Sequence, residues 1–210
     1  ANKMTEQAQN ALLKTIEEPP VYAIIILLTE NCDSLLPTIR SRCVTLTMNP
    51  VEKDKICTYL ENKFQLEPEQ AQIAANYCQG NIGKAIRFAS SSDFIEMKNQ
   101  VLKLLKNLDS MDIASIIDTI KEFSTHKNDI NDYLDLMLLW YRDVLMFKVT
   151  KDANLLLYSD EYSAISEQAT KRDYENIENI IAAIDKAKVR LKANVNFDVT
   201  IELMILAMKD

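Results

Sequence analysis

Three side chains near the start of the chain have types and spacing that suit phosphate chemistry: Thr29, Asn31 and Arg42. Thr29 and Asn31 follow directly on residues 22–28, a continuous apolar and β-branched run whose length suits a strand covered on both faces in a parallel sheet. Ligands bind at the carboxyl ends of strands in such sheets, so a hydroxyl and an amide at that edge would face a nucleotide or the water that attacks it. A short helix then delivers Arg40 and Arg42 to its C-terminal end, where cations suit the helix dipole and a guanidinium can project past the domain edge. In phosphoryl transfer, charge gathers on the phosphoryl oxygens, and a planar, permanently charged fork offsets it as a lysine point charge cannot. Ser41 beside it suits capping or orienting the loop, and Cys43 is expected to be a small buried hydrophobe rather than a reactive thiol. Taken alone, one arginine near a helix end is most often an ordinary surface residue.

The elements that must position these groups follow from periodicity. Residues 5–17 place Ala8, Ala11, Leu12, Thr15 and Ile16 on one helical face, small enough to lie close to a sheet, and Pro19-Pro20 ends the helix. After Cys43, residues 44–48 alternate apolar and polar as an edge strand does, and Asn49-Pro50 punctuates the chain. Three short helices are expected at 51–62, 68–78 and 82–89, the last after the break Gly80-Asn81. Ser90-Ser91-Ser92-Asp93 reads as a linker ending in a helix cap. Beyond it helices are expected at 93–108, 111–125, 128–149, 160–170, 173–193 and 197–209, with Asp93, Asp173 and Asn196 as N-caps. The third of these carries two apolar stripes: Tyr133, Leu136, Trp140, Val144 and Phe147, then Leu134, Met137, Leu138, Tyr141 and Leu145. A helix apolar on both faces is buried on both, and in so small a domain the second face is expected to meet another subunit.

Composition narrows the function. A chain of 210 residues holds one large domain or two to three small ones, and only two glycines and five prolines argue for a mainly helical chain with a small sheet. Two glycines could hardly build a phosphate-cradling loop. The net charge of −7 speaks against gripping nucleic acid over a broad surface, so any DNA role would be indirect. Cys32, Cys43, Cys57 and Cys78 form no C-x-x-C pair and have only His126 as an imidazole partner, which points to reduced thiols in the cytoplasm rather than zinc. His126 is expected at a solvated helix end and Trp140 in the core, while Glu17-Glu18 and the run Asp129-Ile130-Asn131-Asp132 read as solvated faces or helix termini. No apolar run approaches the roughly 20 residues that cross a bilayer, and no membrane association is expected. The chain opens on Ala1 directly into a helix, as expected for the later part of a longer protein whose first strands lie elsewhere.

The order of these features resembles the clamp-loader branch of the AAA+ ATPases. The segment Ala1-Asn2-Lys3-Met4, then Ala8-Gln9-Asn10-Ala11-Leu12-Leu13-Lys14-Thr15-Ile16-Glu17-Glu18-Pro19-Pro20, is similar to the helix after that family's Walker B strand. The strand followed by Thr29-x-Asn31 resembles its sensor 1, and Ser41-Arg42-Cys43 its trans-acting arginine-finger motif. More weakly, Trp140-Tyr141-Arg142-Asp143 and the run 191–196 followed by Leu203 and Leu206 resemble its collar domain. The resemblance implies a mainly α chain in three parts: 1–49 as the C-terminal part of an AAA+ α/β domain, 50–92 as a three-helix lid, and 93–210 as a helical collar through which five subunits form a ring.

It also implies roles. Arg42 would act on a neighbour's ATP site with Ser41 and Cys43 in support, and Thr29 and Asn31 would mark a sensor 1 position, vestigial in a member that does not hydrolyse. Gly80-Asn81-Ile82-Gly83-Lys84-Ala85 resembles the lid motif in which hydrolysing members carry a sensor 2 arginine where this chain has Gly83. Lys84, about 100° further round the helix, would point elsewhere. The implied function is therefore a non-hydrolysing subunit of the DNA polymerase III clamp loader in DNA replication. ATP and Mg²⁺ would lie on a neighbouring subunit and no cofactor on this chain. The implied partners are gamma/tau and delta subunits, with the sliding clamp and primer-template DNA reached indirectly. The alternative is an ATP-hydrolysing motor subunit of the gamma or tau type.

Lacking P-loop amides, a P-loop lysine and Walker B carboxylates, these 210 residues are predicted neither to bind nor to hydrolyse ATP. Calorimetry with Mg-ATP should be flat, and micromolar affinity would contradict the reading.

Overall fold

The computed structural model describes every residue except Asn2, Ser91, Ser92 and Asp210. The described residues form eleven α-helices joined by loops and short 3-10 turns, with no β-ladder. They fall into two compact units, Ala1–Asn49 and Pro50–Asp210.

The first unit holds helix α1 (Glu6–Glu17) and the single turn α2 (Pro37–Arg40). Thr5 caps α1, its hydroxyl accepting the Ala8 N–H at 3.3 Å. Neither strand expected from the sequence forms. Residues 22–28 and 44–48 run without ladder pairing and leave apolar side chains exposed, Ile24 at 89% and Met48 at 90%. A strand exists only by exchanging N–H and C=O bonds with a neighbour roughly 4.8 Å away, and neither segment has one among the described residues. On the α1 face expected to lie on a sheet, Ala8, Ala11 and Thr15 are exposed and Leu12 and Ile16 only half-buried. The buried positions of this unit are instead Gln9, Leu35 and Ile39.

The second unit begins with α3 (Lys53–Phe64), α4 (Pro68–Tyr77) and α5 (Ile82–Ser90). Their pattern of Ile56, Leu60, Ala71, Ala74 and Ala85 buries one shared seam. Gly80 is required at the turn before α5. Its φ is +79°, and a Cβ there would sit 2.5 Å from Pro50 Cβ, where Val51 N–H reaches the Gly80 carbonyl at 3.0 Å. Six more helices follow: α6 (Asp93–Asn107), α7 (Ile113–Thr125), α8 (Ile130–Thr150), α9 (Tyr162–Lys171), α10 (Tyr174–Lys192) and α11 (Phe197–Lys209). Of the expected linker, Ser91 and Ser92 lie outside the described residues, and Asp93 is the first residue of α6. The apolar core runs without a break from Ile56 to Met208. Phe88 of α5 stacks on Phe94 of α6 with ring centroids 4.2 Å apart, and Tyr77 of α4 meets Tyr158 at 5.0 Å.

Helix α8 is the centre of this core. Tyr133, Leu134, Leu136, Met137, Trp140, Tyr141, Val144 and Phe147 are all buried, so both stripes are used. Helices α6, α9 and α10 of the same chain pack on α8, and the second stripe is buried at Leu134, Met137 and Tyr141 and half-buried at Leu138 and Leu145. Most polar groups buried alongside are matched, the Tyr141 hydroxyl being the exception on α8 among the described residues. Trp140 Nε1 donates to Gln168 Oε1 at 3.0 Å, and Gln168 Nε2 donates at 2.9 Å to the Leu105 carbonyl, one of the last four of α6 and so without a helical partner. The fully buried Asp143 accepts the Leu157 and Tyr158 N–H groups at 2.7 and 2.8 Å on one oxygen and Arg142 Nη1 at 2.8 Å on the other. Asp173 and Asn196 cap α10 and α11 as expected, and Asp112 caps α7 in addition.

Asp143→Ala leaves two N–H groups without their acceptor in the interior. The substitution should lower the stability of the second unit by about 2–4 kcal/mol, while Asp143→Asn, which keeps an acceptor, should cost less. Urea denaturation checks this, and an Asp143→Ala loss below about 0.5 kcal/mol would contradict it.

Candidate functional site

Pro37 at the first position opens α2, and the chain leaves the turn through Ser41, whose hydroxyl donates to the Thr38 carbonyl at 3.1 Å. Arg42 follows immediately, its side chain 39% exposed. Its Nε donates to Glu17 Oε1 at 2.5 Å and its Nη1 to the Thr38 carbonyl at 2.9 Å, with Ser41 Oγ 3.4 Å from the same Nη1. The guanidinium thus shares the Thr38 carbonyl of α2 with the Ser41 hydroxyl and is tied to the end of α1. Its Nη2 has no partner among the described residues. Arg40 turns the other way, to Asp33 at 2.9 Å. Cys43 is half-buried rather than buried, because the segment it opens has no sheet to enter.

Thr29 and Asn31 form a second, separate cluster. Thr29 Oγ1 donates to the Asn31 carbonyl at 2.8 Å and lies 3.3 Å from Ser34 Oγ, and Asn31 Oδ1 accepts the Asp33 N–H at 2.8 Å. Both side chains therefore build the turn that starts the 3-10 segment Cys32–Ser34. Gln9 holds that loop on α1: its Nε2 donates to the Met4 and Ser34 carbonyls, each at 3.3 Å, and its Oε1 accepts the Leu36 N–H at 2.8 Å. Sequence reasoning assigned no role to Gln9 or to Glu17. The signal for Gln9 is a long polar side chain on the buried side of α1; for Glu17 the partner is distant in sequence and no local spacing announces it.

In the second unit Asn81 Oδ1 caps α5 by accepting the Lys84 N–H at 3.0 Å. Gly83 is helical, and a Cβ there would meet only Asn81 Oδ1, at 3.2 Å. Lys84 does point elsewhere, as its place on the helix implies. Its ammonium bridges Asp132, at 2.9 Å, and Asp135 of α8, while Lys188 of α10 takes the other Asp135 oxygen at 2.5 Å. Arg87 pairs with Asp132 at 2.9 Å. The Asp129-to-Asp132 run is thus not simply a solvated face, since Asp132 is only 5% exposed and doubly paired. The described residues contain no group of three or more His, Cys, Asp or Glu side chains placed to hold a metal ion, and no helix long and apolar enough to cross a membrane.

Residues 1–52 match the family described as "DNA polymerase III, delta subunit". The whole chain aligns with the DNA polymerase III subunit delta' of Bacillus subtilis at 32% identity over 213 residues, which is 64% of that protein. It aligns with the delta' subunit of Pseudomonas aeruginosa at 25% identity, over 98% of this chain and 62% of that one. The DNA polymerase III subunit tau of Bacillus subtilis is 26% identical over 67% of this chain and 29% of its own length. These matches liken the chain to clamp-loader subunits of bacterial DNA polymerase III, in both Ala1–Asn49 and the helical second unit. The two delta' subunits are matched over 100% and 98% of this chain, and the chain spans less than two thirds of their length.

The contact among α5, α8 and α10 carries a pH signature. Burial by itself raises the Asp135 carboxyl, but hydrogen bonds and charge from Lys188 and Lys84 outweigh it and hold the group below the usual carboxylate range. Burial alone would lower Lys84, but Asp135 and Asp132 outweigh it and raise the ammonium. The Asp135 contribution is present above its unfolded value of about 3.9 and is lost as pH falls through the lower folded value. The Lys84 contribution is present below about 10.4 and is lost as pH rises through the higher folded value. Lys84→Met should therefore destabilise the second unit by about 1–2 kcal/mol between roughly pH 4 and pH 10, measured by urea denaturation, and the deficit should close as pH falls through the lowered folded value of Asp135. A deficit independent of pH would show that lost packing, not the ion pair, is responsible.

Proposed function

We propose that this chain is the later part of a non-hydrolysing clamp-loader subunit of the delta' type, and that Arg42 completes the ATP site of a neighbouring subunit. The observation that carries this reading is the pose of Arg42: exposed, anchored on one side by Glu17 and the Thr38 carbonyl, and with Nη2 free of partners among the described residues. Thr29 and Asn31 spend their side chains on their own loop, in keeping with a vestigial sensor 1 position. Lys84 is held by two carboxylates, so the lid offers no side chain at Gly83 and no uncommitted cation beside it. Gly83 is not imposed by crowding, since only Asn81 Oδ1 would need to shift by a few tenths of an ångström. Absence of an arginine there fits a subunit that gives a finger and does not hydrolyse.

In this reading 1–49 completes an AAA+ domain, 50–92 is a lid, and 93–210 is the collar that joins gamma/tau and delta subunits in a cytoplasmic complex acting on the sliding clamp and primer-template DNA. The exposed side chains Val199, Leu203 and Leu206, one face of α11, support assembly through the collar. The tau likeness keeps the motor subunit as the second reading, and the residues preceding Ala1 in the complete protein separate the two. A P-loop with paired Walker B carboxylates there would favour the motor.

With the complete subunit reconstituted among its partners, Arg42→Ala should leave assembly intact and slow ATP hydrolysis at the one site it completes, by about 10³- to 10⁵-fold. Bulk ATPase should fall only in part and clamp loading more. Arg42→Lys should be nearly as damaging, because a point charge cannot copy the fork, and Arg40→Ala should be milder. Normal assembly with unchanged clamp loading by Arg42→Ala would overturn the assignment.

A further inference from the structure

We propose that Glu17 is the positioning residue for Arg42, holding the guanidinium in its working orientation before a neighbour's phosphate arrives. The inference rests on the reading of Arg42 as a trans finger. Arginine has five N–H donors, and the structure distributes them unevenly. Nε goes to Glu17 at 2.5 Å and Nη1 to the Thr38 carbonyl at 2.9 Å, which leaves Nη2 at the outer end of the fork.

Two ordinary explanations for Glu17 fail. It is the last residue of α1, where a carboxylate opposes the helix dipole, so helix stability does not call for it. Its pair with Arg42 is solvent-exposed on both sides, and such pairs add little to folding. What the contact does supply is order. An exposed arginine samples many rotamers, and fixing one in advance removes that ordering from the reaction step. The backbone beneath Glu17 is itself fixed, since the Glu18 N–H closes the last turn on the Lys14 carbonyl at 3.0 Å and Pro19-Pro20 stops the helix.

The test is single-turnover hydrolysis in the assembled complex, under conditions where only the neighbouring site that Arg42 serves takes up ATP, with Glu17→Ala, Glu17→Gln, Arg42→Ala and the double variant. Glu17→Ala should lower the rate constant by about 10- to 100-fold with ATP affinity and thermal unfolding unchanged. Glu17→Gln should recover most of the rate, because its amide oxygen still accepts from Nε. The double variant should match Arg42→Ala alone. If Arg42→Ala has no effect, the finger reading fails and the positioning role falls with it. If Arg42→Ala slows the site but Glu17→Ala leaves it unchanged, speeds it, or adds its full effect on top of Arg42→Ala, the positioning role alone is overturned.

Discussion

A helix with apolar stripes on two faces must be covered on both, and this requirement at α8 organises Pro50–Asp210. Enclosure brings α6, α9 and α10 against it and buries Trp140 and Asp143 with the groups that satisfy them, Gln168 and the N–H groups of Leu157 and Tyr158. The same helix presents Asp132 and Asp135 near its N-terminal end, where negative charge suits the dipole, and these two carboxylates take Lys84 and Arg87 from α5. These ion pairs tie α5, which packs on α3 and α4, to α8 as well. The functional consequence is that the cation next to Gly83 is committed to a structural ion pair.

Ala1–Asn49 is held by different physics. Its two helices bury little apolar surface, and its geometry comes from polar staples: Gln9 ties the 34–36 loop to α1, Asn31 and Thr29 shape the turn, and Glu17 with the Thr38 carbonyl fixes Arg42. Hydrogen-bonded staples of this kind fix direction better than they add stability. A unit whose proposed task is to aim one guanidinium needs direction most.

The helices of the second unit were legible in the sequence because a 3.6-residue apolar period is a local signal, and the caps at Asp173 and Asn196 lie where it breaks. The motif Ser41-Arg42-Cys43 was legible by its order after the apolar run 22–28. Strands at 22–28 and 44–48 were not assured by their patterns, since β-structure depends on a neighbour that sequence alone does not supply. Cys43 stays half-buried for the same reason. Nor could a local pattern show that Asp132 is buried or that Glu17 meets Arg42, because each joins segments far apart in sequence.

The central claim is that Arg42 stabilises charge that develops only during phosphoryl transfer on a neighbouring subunit. An analogue of that transition state reports this directly, since an interaction made only there strengthens binding of the analogue and not of the ground state. The decisive measurement is the affinity of the neighbour's site for Mg-ADP with aluminium fluoride, compared with its affinity for ATP, in complexes carrying Arg42 or Arg42→Ala. The account predicts that removing Arg42 weakens binding of the analogue strongly and of ATP little. Equal affinity for the analogue in both complexes would contradict it.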